Sequence, residues 1–210
     1  RPLSNQKGVY THAIYGFMNI YLKHVQAIQP DCIAVAFDRR EPTFRHKAVE
    51  TYKANRKGMP EELAMQLPYV KELLTDLGVH VVEQSGYEAD DILGTLAKAC
   101  CQTGQDTCHI LTGDRDSLQL IDRYVNVKLI ISKPGQTTTT LFDEEKFREE
   151  YGFEPKKLID LKALMGDSSD NIPGVAGVGP KTAKELLAKF GSLDGVYAHL
   201  DDPSIRPKLR

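Results

Sequence analysis

The sequence predicts an α/β protein with a mainly parallel sheet flanked by helices, and a helical appendage at its carboxyl end. Three observations carry this. Short apolar runs at 32–38, 79–84 and 107–112 (CIAVAFD, VHVVEQ, TCHILT) alternate with segments of helical periodicity, which is the pattern of parallel strands joined by right-handed crossovers. The runs are nearly continuous rather than alternating, as strands covered on both faces are. Beyond about 155 the pattern is helical only.

In order, residues 11–28 carry Ile14, Phe17, Met18, Tyr21, Leu22 and Val25 at helical spacing, broken by Pro30-Asp31. The run 32–38 follows as a strand, then a polar, basic and weakly periodic stretch over 39–60. Residues 61–78 form an amphipathic helix closed by Gly78. After the strand at 79–84, a helix runs to about 102 with Ser85 as N-cap and Gly104 beyond its end. The third strand ends at Gly113-Asp114. VNVKLII (125–131) is a strand with TTTTLF (137–142) as its partner, and helices are expected at 143–151, 155–165, 180–190 and 192–199.

The composition is that of an ordinary folded chain: 210 residues, 41% hydrophobic and 27% charged. No run approaches the roughly 18 apolar residues of a membrane span, which predicts a soluble chain, and the cysteine usage points to a reducing cytoplasm. The formal net charge is −2, which excludes coating of nucleic acid by bulk charge but not by local patches. Cys32, Cys100, Cys101 and Cys108 form no CxxC pair and lie in or beside apolar runs, so they read as small buried hydrophobes in a reducing compartment.

Acidic residues gather where the strands end. Asp38 closes the first run, Glu88, Asp90 and Asp91 open the next helix, and Asp114 and Asp116 follow the third run. Ligands of open α/β sheets bind outside the carboxyl ends of the strands. A carboxylate cluster there repels itself unless cations neutralise it, and oxygen-only donors suit Mg²⁺ or Mn²⁺. Taken singly, such acids also serve as helix-dipole partners and turn residues. Asp167 and Asp170 in GDSSDN (166–171) would add ligands for a second ion, and two ions about 4 Å apart are the usual arrangement for phosphodiester hydrolysis.

Two further segments point to a polyanion. Residues 39–57 hold seven basic groups against two acidic ones, with Phe44 and Tyr52 interleaved, a combination suited to phosphates and stacked bases. Residues 172–191 (IPGVAGVGPKTAKELLAKFG) place Gly174, Gly177 and Gly179 ahead of Pro180 and a helix carrying Lys181, Thr182 and Lys184. Free N–H groups at such a helix start favour phosphate. This resembles a helix-hairpin-helix, and the spacing is not that of a P-loop.

AFDRREPTFRHKAVETYKANRKGMPEEL, GYEADDILGTLA, TGDRDSLQL and ALMGDSSDNIPGVAGVGPKTA together resemble the 5′→3′ exonuclease/flap endonuclease family, most of all its bacterial polymerase-linked branch. The resemblance spans essentially the whole chain. It implies a PIN-like nuclease core over 1–154 with a helical arch at about 39–70, and a helical hairpin DNA-binding subdomain over 155–210. It implies metal-dependent cleavage at 5′ flaps, nicks and gaps in DNA, as in RNA-primer removal. Asp38, Glu88, Asp90, Asp91, Asp114, Asp116, Asp167 and Asp170 would hold two divalent cations, Mg²⁺ or Mn²⁺. Lys53 and Arg56 would contact the scissile phosphate, with Arg45 and Tyr52 beside them in the arch. Gly177, Gly179, Lys181, Thr182 and Lys184 would grip duplex DNA, with K⁺ at the hairpin carbonyls. The partner implied is branched or nicked DNA with a 5′ single strand, bound by a monomer that polymerase-linked relatives fuse to a polymerase. The family's first strand and its aspartate would precede Arg1, and its last helices would follow Arg210. Their absence implies, as an alternative, a DNA clamp with impaired cleavage. An RNA-cleaving PIN-type nuclease fits the hairpin less well.

Overall fold

In the computed structural model, residues 3–6, 8–133 and 135–209 are described. Arg1, Pro2, Lys7, Pro134 and Arg210, which include both ends of the expected domains, lie outside them. In chain order the elements are α1 (His12–Ile28), β1 (Ala34–Ala36), α2 (Phe44–Ala48), α3 (Glu61–Ala64), α4 (Leu67–Asp76), β2 (His80–Val82), α5 (Ala89–Cys100), β3 (Cys108–Thr112), β4 (Val125–Lys133), β5 (Gln136–Phe142), α6 (Glu144–Tyr151), α7 (Leu158–Met165), β6 (Gly166–Asp167), β7 (Ile172–Pro173), α8 (Pro180–Phe190) and α9 (Leu193–Ala198). They divide into two compact units, one of Arg1–Thr43 with Arg56–Ala89, the other of Phe44–Asn55 with Asp90–Arg210.

In the first unit, β1 and β2 pair in parallel, Ala34 opposite His80 and Ala36 opposite Val82. Its core is Val70, Leu74 and Val79, packed by Ile14, Phe17 and Tyr21 of α1 and by Ile33, Val35 and Phe37. The first strand is shorter and less covered than its apolar run suggests: Ala34 is exposed, and β2 is its one paired neighbour among the described residues. The single helix expected over 61–78 is two. Pro68 sits in the first turn of α4, where its missing N–H is harmless, but its ring cannot follow an unbroken turn from α3. The break frees Gln66, fully buried, to reach α1: its Oε1 accepts from Ala13 N at 2.8 Å and Ile14 N at 3.3 Å, and its Nε2 donates to Glu62 O at 2.6 Å. Thr11, next to α1, makes no side-chain cap, so Gln66 satisfies two of the N–H groups a helix start leaves open.

Ser85 is not the N-cap of α5. Residues 85–87 form a turn, with Gly86 at φ +83°, and the helix begins at Ala89, whose N–H donates to Asp38 Oδ1 at 2.7 Å.

The second unit holds a sheet of order β3-β4-β5. β3 and β4 are parallel, Cys108 opposite Val125, and β4 and β5 form an antiparallel hairpin from Val127–Phe142 to Lys133–Gln136. Val125, Val127 and Leu129 alternate into the core with Ile110, Leu118, Phe142 and Phe147. The core continues through Leu158, Leu161 and Leu164 of α7 into Ala183, Leu186 and Leu187 of α8, and α7 packs on α8. Asp143 caps α6 by accepting from Lys146 N at 2.8 Å, and Ser192 caps α9 by accepting from Gly195 N at 3.0 Å. The cysteines depart from expectation: Cys32 and Cys100 are exposed, and only Cys101 and Cys108 are partly covered. Cys32 falls in the irregular stretch before β1 and Cys100 in the last turn of α5, where an apolar neighbourhood in sequence buries nothing.

Candidate metal centre

Asp116, Asp167 and Asp170 each offer a carboxylate oxygen within 4.8 Å of the others. All three belong to the second unit. Local structure fixes each one. After β3, Asp114 N donates to Thr112 Oγ1 at 3.0 Å, and the Asp114 carboxylate accepts from Asp116 N at 2.9 Å, capping a 3₁₀ turn over Arg115–Leu120. Asp167 lies in the two-residue ladder of β6 and β7. That ladder needs glycine twice. Gly166 has φ +76°, and a Cβ on Gly166 or Gly174 would fall inside the other's backbone or that of Met165. Asp167 Oδ1 accepts from Ser169 N at 2.8 Å and Ser169 Oγ at 2.5 Å, an Asx turn that presents Asp170 beside it.

The ammonium of Lys162, on α7, stands between two of the acids, 2.7 Å from Asp116 Oδ1 and 2.5 Å from Asp167 Oδ2. Burial pushes the Asp116 carboxyl up and Asp114 and Asp167 add to the push, against Lys162. For Asp167, burial also acts upward, but Lys162 and Ser169 outweigh it and hold the group at about 2. The two acids share one lysine and move in opposite directions: burial and the neighbouring carboxylates of Asp114 and Asp167 prevail at Asp116, whereas Asp167 gains the Ser169 donors beside Lys162. Burial would lower Lys162, yet the two carboxylates hold it above its ordinary range.

Of the other predicted ligands, Asp114 belongs to the same turn as Asp116, and Asp90 accepts from the buried Ser117 Oγ at 3.4 Å. Asp91 is held by both terminal nitrogens of Arg45, each at 2.7 Å. Asp38 and Glu88 lie in the first unit, Asp38 exposed on the α5 start and Glu88 buried.

The basic segment is short helix and turn. Arg45 lies on α2, its guanidinium 4.5 Å from the Phe44 ring centre. Tyr52 is buried against His46 rather than presented on a face, and its hydroxyl donates to Asp170 Oδ2 at 3.2 Å. Lys53 takes a left-handed backbone, φ +54°, with its N–H on Asp170 O at 2.9 Å. Asn55 Nδ2 donates to Ser168 O and Asn171 Nδ2 to Thr51 O. Residues 51–55 are thus stapled to the loop that carries Asp167 and Asp170. Arg56 opens the next stretch of the first unit and is exposed.

At the glycine hairpin, Gly177 has φ +83°, Gly179 is the extended N-cap of α8, and Pro180 is its first helical residue. Among the described residues, its chain neighbours aside, no atom lies within 4 Å of where a Gly179 Cβ would stand. Lys181 is exposed and Thr182 half-buried. The Lys184 ammonium lies 4.8 Å from the Tyr151 ring centre. Lys162, Ser117, Ser169, Asn55 and Asn171 were not singled out by sequence. For Lys162 a signal existed: a cation on a largely apolar helix leading directly into an acidic loop.

The model of the 5′-3′ exonuclease N-terminal resolvase-like domain matches residues 1–152, and that of the 5′-3′ exonuclease C-terminal SAM fold matches 153–210. DNA polymerase I of Caldicellulosiruptor bescii is 46% identical over 209 residues, covering 99% of this chain and 24% of that protein. DNA polymerase I of Bacillus subtilis is 43% identical over 202 residues, covering 96% and 23%. The chain therefore spans about a quarter of the length of these curated relatives. Among solved structures, T5 5′-exonuclease with bound divalent metal ions (zinc) superposes with a TM-score of 0.73 at 22% identity, covering 93% of this chain and 73% of that one. The catalytic core of Rad2 in complex with DNA substrate does so with a TM-score of 0.61 at 21% identity, covering 97% and 61%. The fold is a resolvase-like α/β domain followed by a SAM-like helical domain, as expected from the strand and helix pattern.

Proposed function

Because the chain belongs to the 5′-3′ exonuclease family, we propose that it hydrolyses DNA phosphodiesters at 5′ flaps, nicks and gaps, removing RNA primers among them. The observation that carries the reading is the meeting of Asp116, Asp167 and Asp170 within 4.8 Å. Their donors are all carboxylate oxygens, which fits a hard divalent ion, and Lys162 already holds positive charge between two of them. We assign two divalent cations, Mg²⁺ or Mn²⁺, to Asp116, Asp167 and Asp170 together with Asp114, Asp90 and Asp91 of the same unit. Such ions supply Lewis acidity and ready ionisation of water at neutral pH.

The chain's own groups do the rest in this reading. Lys53 and Arg56 neutralise charge developing on the scissile phosphate. Arg45 binds phosphate, and Tyr52, packed under Lys53, fixes the segment's place. The N–H groups around Gly177 and Gly179, with Lys181, Thr182 and Lys184, hold the duplex backbone without reading sequence, and K⁺ binds at the same hairpin. We take 1–154 as the nuclease core, with an arch at about 39–70, and 155–210 as the duplex-holding subdomain. The chain acts as a monomer on DNA with a 5′ single strand, in the bacterial cytoplasm and joined to a polymerase as in its relatives. Among the described residues no helix is long and apolar enough to cross a membrane.

The test is cleavage of a labelled 5′-flap duplex with Mg²⁺ or Mn²⁺ and with chelator, while binding is followed in Ca²⁺. Asp116→Asn should slow cleavage at least about a hundredfold and leave DNA affinity within about threefold. An unchanged rate in Asp116→Asn would sink the assignment. Binding by the parent chain without metal-dependent cutting would leave a DNA clamp.

A further inference from the structure

Three partly covered carboxylates within 4.8 Å repel one another, and burial raises the cost. The fold answers with an ammonium from α7. Lys162 contacts Asp116 Oδ1 and Asp167 Oδ2, while the other Asp167 oxygen is taken by Ser169. The oxygen Asp167 would offer an ion is therefore the one Lys162 holds. The Lys162 side chain is 31% exposed, so its flexible four-carbon stem has an outlet to water without movement of α7.

We propose that Lys162 is a built-in competitor for divalent cations at the Asp116–Asp167–Asp170 cluster: its ammonium neutralises the acids when no ion is bound and withdraws when one binds. The inference rests on the reading of the cluster as metal-binding. Lys162 thereby sets the affinity for the ion, keeping the acids compatible with folding at the expense of tight binding. A purely structural lysine would behave in the opposite way, since its removal would loosen the ligands and weaken binding.

The experiment is a titration of the 210-residue chain with Mn²⁺ alone, read by the loss of the free-ion electron paramagnetic resonance signal, with thermal melts in chelator and in saturating Mn²⁺. Lys162→Met and Lys162→Gln should bind Mn²⁺ about tenfold more tightly than the parent, the scale of one charge-assisted hydrogen bond no longer displaced. Both should melt lower in chelator, and the deficit should shrink in Mn²⁺. Lys162→Arg, which keeps the charge, should bind near the parent. Lys162→Gln keeps a polar group at the site and decides the matter if Lys162→Met folds poorly. Equal or weaker Mn²⁺ binding by the neutral variants, with Asp116→Asn weakened as expected, overturns the competitor role and leaves the metal reading standing. Binding by Asp116→Asn equal to the parent overturns the metal reading, and this inference with it.

Discussion

Asp202 shows how one residue couples the end of the chain to pH. Its carboxylate accepts from Lys189 Nζ at 2.6 Å and from Ser204 N and Oγ at 2.8 and 2.6 Å. The Lys189 hydrogen bond, then those from Ser204, hold it well below the ordinary value of 3.8. A carboxylate lowered by folding stabilises the folded state above its unfolded pKa and loses that contribution as pH falls towards its folded one. Asp202→Ala should therefore lower the melting temperature at pH 7, and the gap to the parent should close progressively below about pH 4, as paired thermal melts would read. A gap independent of pH would remove this account. Cys108 moves the other way: burial pushes its thiol up to about 11, which keeps it protonated and unreactive at neutral pH.

Among the elements, α1, α6, α7, α8 and α9 lie close to where periodicity and turn residues put them. Their signals are local: Gly152 and Gly191 adopt positive φ just past α6 and α8, and Asp143 and Ser192 cap from inside the motif. What sequence did not reveal is set by partners far along the chain. Gln66 reaches α1 from more than 50 residues away, so no window of sequence contains the cap. Asp38 displaces Ser85 at the start of α5 across 51 positions. The acidic cluster was half legible: a strand end pointed to Asp114 and Asp116, and an acidic loop after an apolar helix to Asp167 and Asp170, but Lys162 between them, and Tyr52 on Asp170 across 118 positions, depend on tertiary packing. Gln66→Leu preserves apolar packing but strands the N–H groups of Ala13 and Ile14, and should lower stability by about 2 kcal/mol in urea unfolding. No loss would mean that water replaces the cap.

For the molecule as a whole, a formal charge of −2 means that in the proposed reading nucleic-acid affinity rests on local groups: Arg45 on α2, Lys53 on the stapled segment and Lys181 at the start of α8. If four phosphates are neutralised, affinity should fall about a hundredfold between 50 and 200 mM salt, and Lys181→Ala should lower the log–log slope by about one. A slope unchanged in Lys181→Ala would take that residue off the DNA. The two compact units are interleaved along the chain, which passes between them at 43/44, 55/56 and 89/90. The residues that staple the acidic loop, 51–55, are thus encoded inside the stretch that otherwise builds the first unit. A gene fragment ending at 89 would carry away part of the second unit, and one beginning at 90 would lack the Tyr52 and Lys53 contacts to Asp170. No single cut yields either unit entire, so a single crossover that moves one unit breaks the other.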